Sequence, residues 1–165
     1  MLPFTVITII TVIIIGSMVG YYYIGEGGNV GGSDEEFPED GFVVLVIDYG
    51  DHHDERDTET HNITKHWIYT TIDYNNGTSE SENVTMDTGL SEDSTVFYVL
   101  DLVANVDTEL YGGSYVSGIN GVEDEGREGN WSWLYYVNDR QAPVAATSYK
   151  VSNGDLIEWI YQEWR

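Results

Sequence analysis

The chain has no cysteine, which removes disulfide bridges, thiolate nucleophiles, cysteine-ligated zinc and a lipidated N-terminal cysteine. Basic residues are scarce: 6 Lys and Arg stand against 29 Asp and Glu, for a formal net charge of −23 at pH 7. Such a surface repels nucleic acid and anionic lipid, since both are polyanions. It suits cation binding or a high-salt medium, in which carboxylates stay solvated while their repulsion is screened. Catalytic signatures are missing too. No G-x-S-x-G, H-E-x-x-H or phosphate-binding loop occurs, and with 29 acids a carboxylate pair exists at any spacing and marks nothing. Neither an enzyme nor a resident cofactor is expected.

Charge is missing altogether from residues 1 to 25; the first charged side chain is Glu26. Phe4 to Ile24 has the length and apolar content of a membrane-spanning helix, and Tyr21, Tyr22 and Tyr23 stand where an aromatic belt meets headgroups. A cleaved signal fits less well, because there is no basic n-region and no small residue at position −3 (Met18) if Gly20 is −1. Residues 1–24 are therefore read as an uncleaved single-pass anchor, and residues 25–41, Gly-rich and then acidic, as a self-repelling spacer. Residues 42–165 form the domain proper. Its acids, and the glycosylation sequons at Asn62, Asn76, Asn83 and Asn130, favour placement outside the cell.

Within that domain, "FVVLVIDYG" (42–50) reads as a doubly covered strand and 51–65 as a polar loop. His66 to Tyr74 and Trp131 to Val137 read as strands, with shorter ones at 83–89, 114–119 and 156–161. One soluble helix is expected at 94–105, capped by Ser94 or Asp93, with Val96, Val99, Leu100 and Val103 as its buried stripe. The order strand, strand, helix, strand, strand, strand gives an α+β class: a mixed sheet with one packed helix, preceded by the N-terminal transmembrane helix. Alternation puts Trp131, Trp133, Tyr135 and Val137 on one sheet face and Ser132, Leu134 and Tyr136 on the other, and one helix cannot cover both.

Ile119-Asn120-Gly121, Tyr135-Tyr136-Val137-Asn138, the segment from Pro143-Val144 to Tyr149, and Gly154-Asp155-Leu156-Ile157-Glu158-Trp159 carry a likeness. Together with "STVFYVLDLV" and "VVLVIDYG", they resemble the transcobalamin C-terminal-like domain family, over roughly residues 42 to 162. The resemblance implies a β-grasp core with the first and last strands adjacent and parallel. In transcobalamin the related domain helps to enclose cobalamin against a large helical domain. No such domain is visible in these 165 residues, so cobalamin is not expected here.

Three constellations are candidates for binding. Trp131, Trp133 and Tyr135, with Tyr149, could form a stacking platform for a small ligand or a surface partner; the competing reading puts Trp133 and Tyr135 in the core. His52, His53, His61 and His66, all four of the chain's histidines, lie among carboxylates and could gather Zn²⁺, Cu²⁺ or Ni²⁺; the plainer alternative is a solvated acidic loop. The acidic runs at 34–40 and 123–125 lack calcium-loop spacing and read as solvated charge. The expectation is a non-catalytic binding module. A structural or adhesive envelope protein, or a metal-collecting loop on the same scaffold, are the alternatives.

Overall fold

The computed structural model describes residues 37–50, 57–108, 115–125 and 129–163. Eleven elements follow one another there: β1 (Phe42–Asp48), β2 (Thr58–Thr64), β3 (Trp67–Asp73), β4 (Ser79–Thr85), α1 (Val96–Asp101), β5 (Val106–Asp107), β6 (Gly118–Ile119), β7 (Val122–Glu123), β8 (Trp131–Val137), β9 (Arg140–Gln141) and β10 (Leu156–Glu163). A seven-stranded sheet has the order β4-β3-β2-β1-β10-β8-β9, and β5-β6-β7 form a second, small sheet.

The β-branched run of β1 lies at the centre of the large sheet. It pairs antiparallel with β2 and parallel with β10, Val44 opposite Leu156 and Ile47 opposite Trp159. The first and last strands are thus neighbours, as the resemblance implies. Register then fixes the faces, because directly opposed residues point the same way. Val43, Leu45 and Ile47 of β1 share a face with Ile63 of β2, Ile157, Trp159 and Tyr161 of β10, and Trp133, Tyr135 and Val137 of β8. All belong to one hydrophobic cluster, completed by Val96, Val99 and Leu100 of α1 and by Ile119 and Val122 of the small sheet. Each fully buried aliphatic side chain of this kind contributes about 1.5–3 kcal/mol. No residue of the opposite face, such as Val46, Leu134, Tyr136 or Ile160, is in that cluster.

The α+β expectation is corrected. The described residues are mostly β-sheet, with one helix of six residues. Thr95, not Ser94 or Asp93, is the cap; its side chain accepts from the Tyr98 N–H. The helix stops early because the N–H groups of Val103 and Ala104 both turn back to the Leu100 carbonyl. The chain then enters β5, so the apolar period that continues through Val103 is spent on a turn and not on a further helical turn. The expected loop at 51–65 is corrected over its second half. "TETHNIT" is a strand despite its polarity, because His61 and Ile63 turn inward at period two, opposite Leu45 and Val43. Phe37, read as spacer, is 3% exposed and sits in the core. Gly41 leaves room for it: a Cβ at that position would lie 2.6 Å from the Phe37 ring.

Among the described residues no helix is long and apolar enough to cross a membrane. The anchor expected at 1–24 lies outside the described residues, as do His52 and His53.

Candidate functional site

The aromatic strand forms the core wall. Trp133 is 2% exposed and donates its indole N–H to the Val122 carbonyl at 2.8 Å. Tyr135 is 9% exposed and donates to the Val144 carbonyl at 2.5 Å. Tyr161 bridges the two tryptophans: its ring centroid lies 5.3 Å from that of Trp133 and 5.8 Å from that of Trp131, the latter pair stacked at 24°. Tyr135 packs at 5.0 Å on Trp159 and at 6.4 Å, edge-on, on Tyr149. Burial, then the neighbouring Tyr149, pushes the Tyr135 phenol up to about 12. Trp131 and Tyr149 are half-buried at the margin of this wall. The four rings proposed from sequence as a platform therefore line one face, but Trp133 and Tyr135 have almost no surface to offer a ligand.

The two described histidines, His61 and His66, do not converge. His61 is 3% exposed on the core face of β2. Its Nδ1 lies 2.9 Å from Thr70 Oγ1, and its Nε2 lies 3.3 Å from Glu59 Oε2, close enough for an ion pair but not aligned as a hydrogen bond. Glu59 in turn accepts from the Tyr49 hydroxyl at 2.8 Å and from Asn120 Nδ2 at 3.4 Å. Burial raises the Glu59 carboxyl, but the His61 ring, the Tyr49 hydroxyl and the Asn120 amide outweigh it and hold the group below its ordinary value of 4.5. His66 is exposed at the β2–β3 turn, 2.7 Å from Glu39, which Lys65 also approaches at 3.3 Å. His66 first and then Lys65 lower the Glu39 carboxyl. His61 faces the core from within β2 while His66 is exposed in the turn beyond its end, and each ring meets a different carboxylate, Glu59 and Glu39. Among the described residues no three His, Asp or Glu side chains gather as metal ligands.

The sequons differ in setting. Asn83 is exposed on β4 and Asn130 just before β8. Asn76 is exposed in the β3–β4 turn, where its Oδ1 accepts from the N–H and hydroxyl of Thr78. Asn62 is half-buried in mid-sheet, between Val44 and Tyr69.

The face opposite the core carries a feature that motif searching misses. Glu158 of β10 lies between Val46 of β1 and Tyr136 of β8, with Leu156 and Ile160 two positions away along its own strand. It is partly buried, yet among the described residues it has no hydrogen bond and no ion pair, and none of the described basic residues (Lys65, Arg140 and Lys150) belongs to β1, β8 or β10. Burial raises its carboxyl first, then the charges of Asp139 and Asp48. An unpaired carboxylate among apolar side chains is costly for a fold and useful for a contact. Its one sequence signal is the strand "LIEWIY", in which the outward positions are Leu156, Glu158 and Ile160.

No curated protein matches the chain. Among solved structures, a proposed metal-binding protein from Ruminococcus gnavus is 13% identical, aligned over 76% of this chain and the whole of its own, with a TM-score of 0.43. Residues 93 to 163, from the turn before α1 to the end of β10, match the family described as a domain of unknown function, DUF4430.

Proposed function

We propose that the chain is a non-catalytic binding module, held at the outer surface of the membrane by residues 1–24, and that it binds a surface partner through the open face of its large sheet. The unpartnered Glu158 carboxylate, set among Val46, Tyr136, Leu156 and Ile160, carries this reading. The charge calls for a cation and the surroundings call for apolar contact, so the partner presents a Lys or Arg flanked by apolar side chains. The buried Trp133 and Tyr135 give that face a rigid backing. Tethering is supported by the neutral, apolar first 25 residues, and display outside by the 29 acids and the exposed sequons at Asn76 and Asn130.

The test is a thermal-shift series on the whole chain with two peptides of equal length, one alternating apolar and basic residues, the other apolar and acidic. A binder is stabilised by RT ln(1 + [L]/Kd). The basic peptide should raise the melting temperature of wild type and have no effect on Glu158→Leu, while the acidic peptide stabilises neither. Equal shifts in wild type and Glu158→Leu, or no shift at millimolar peptide, would refute the assignment.

A further inference from the structure

Strand β4 is the outer edge of the seven-stranded sheet, and all seven of its residues are exposed. Two hydrogen bonds bracket its pairing with β3: Tyr74 N–H to Thr78 O at 2.9 Å, and Met86 N–H to His66 O at 3.0 Å. An antiparallel ladder alternates strictly, so these bonds fix its phase. Even-numbered residues of β4 address β3; Ser79, Ser81, Asn83 and Thr85 turn their N–H and C=O groups outward. Natural edges are blunted with charged side chains, lysine above all, with proline, bulges or a covering loop, and the only charges on β4 are Glu80 and Glu82. "SESENVT" has neither proline nor lysine, and its register with β3 runs unbroken over seven pairs. Three exposed large apolar side chains lie at one end of this ribbon, Val84 (44%) and Met86 (38%) on one face and Trp67 (39%) on the other.

We infer that β4 pairs antiparallel with β4 of a second copy of this chain about a two-fold axis through Asn83, joining two sheets edge to edge. Charge selects the register. With the axis at Asn83, Glu82 lies opposite Val84 of the second copy, Glu80 opposite Met86, and Ser81 opposite Thr85, so both glutamate stems of β4 meet an apolar side chain. An axis at Glu82 sets Glu82 against Glu82, and one at Ser81 sets Glu80 against Glu82; like charges directly opposed are destabilising. An axis at Val84 avoids this but shortens the overlap, because the chain turns into the core at Thr88, which is 2% exposed and donates to the Lys65 carbonyl. The outward phase of Asn83 also permits the pairing, since residues opposed at a hydrogen-bonded position must both turn their backbone groups outward. At −23 per chain the dimer is favoured by salt, which shortens the screening length to about 8 Å at 0.15 M and about 3 Å at 1 M.

The absence of cysteine makes the register directly measurable. Single variants Ser81→Cys, Glu82→Cys, Asn83→Cys and Val84→Cys of the full chain are oxidised and run on non-reducing gels. Opposed residues have Cα atoms about 4.5–5.5 Å apart, inside the range a disulfide bridges, whereas residues one step off the axis lie about 7–8 Å from their equivalents. Asn83→Cys should cross-link most. Strongest cross-linking at another position, or none at all four, would overturn the pairing. Light scattering of the full chain at 1 M salt gives the second reading. Wild type should be dimeric, and Ser81→Pro, which removes an outward N–H that β3 does not use, should be monomeric with its melting temperature nearly unchanged. A monomeric wild type, or a dimer indifferent to Ser81→Pro, would equally reject it.

Discussion

Glu59 and His61 stand two positions apart on β2, facing the core, with Oε2 and Nε2 3.3 Å apart and the Tyr49 hydroxyl on the far carboxylate oxygen. This places a carboxylate and an imidazole side by side in the wall of a hydrophobic cluster. Such a pair survives because its remaining positions are taken up by Thr70 and Asn120.

The Glu59 carboxyl is held below 4.5 in the folded chain, so its stabilising effect is complete above that value and is lost as pH falls through the folded value. Glu59→Gln should lower stability at pH 7 by about 1–2 kcal/mol, in line with losing hydrogen bonds to a charged group. Urea titrations at pH 7 and pH 3 check the sign: the gap between variant and wild type should be wide at pH 7 and narrow at pH 3.

Glu158 has the opposite sign. Its carboxyl is raised, so ionisation disfavours the fold above the ordinary carboxylate range, and protonation relieves this as pH falls. Glu158→Gln should therefore stabilise the chain at pH 7 by a few tenths of a kcal/mol once solvent screening is allowed for, and by less near pH 4. A variant that is more stable but has lost the basic peptide would separate a functional cost from a structural one. A destabilised variant would contradict the placement of Glu158 in an uncompensated site.

The two tryptophans of β8 should behave differently. Trp133→Ala removes a 2%-exposed ring and its bond to Val122, and should cost about 3–5 kcal/mol in chemical denaturation. Trp131→Ala removes a half-buried ring stacked on Tyr161 and should cost about 1–2 kcal/mol, leaving cooperative unfolding intact. Because Trp131 lies on the core side of the sheet, this variant should also keep the peptide response assigned to Glu158.

Gly50 follows β1 with φ of +65°, and a Cβ there would collide with the Tyr161 carbonyl oxygen. Gly50→Ala should cost more than the roughly 1 kcal/mol of an open left-handed site, because the obstacle is backbone of the neighbouring strand. Gly77→Ala, at φ +81° with no atom near the added Cβ, is the control and should cost no more than about 1 kcal/mol. Thermal melts of the pair give the comparison.

The strands legible in sequence are those whose residue types match their surroundings. β1 and β8 are runs of β-branched or aromatic side chains, and they form where such runs predict. β2 was hidden because its inward positions carry Glu59 and His61, which look like loop residues until Tyr49, Thr70 and Asn120 are known to satisfy them. The helix read too long because Val103 continues the apolar period while its N–H closes a turn on Leu100. Phe37 was concealed by the glycines and acids around it. At the candidate site, alternation along β8 already told that one helix cannot cover two faces. It could not tell which face would be left open, since that follows from where β5 to β7 pack. The edge position of β4, likewise, is a fact of strand order and not of composition.

The parallel pairing of β1 with β10 has a bearing on biosynthesis. The central strand of the sheet acquires its neighbour only when residues 156–163 leave the ribosome, more than a hundred residues after β1. Until then one flank of the most apolar strand in the domain stays unzipped, and contacts of such long sequence separation form slowly. Nascent chains stalled before residue 156 should be protease-sensitive throughout, and resistance should arrive in one step rather than growing with length.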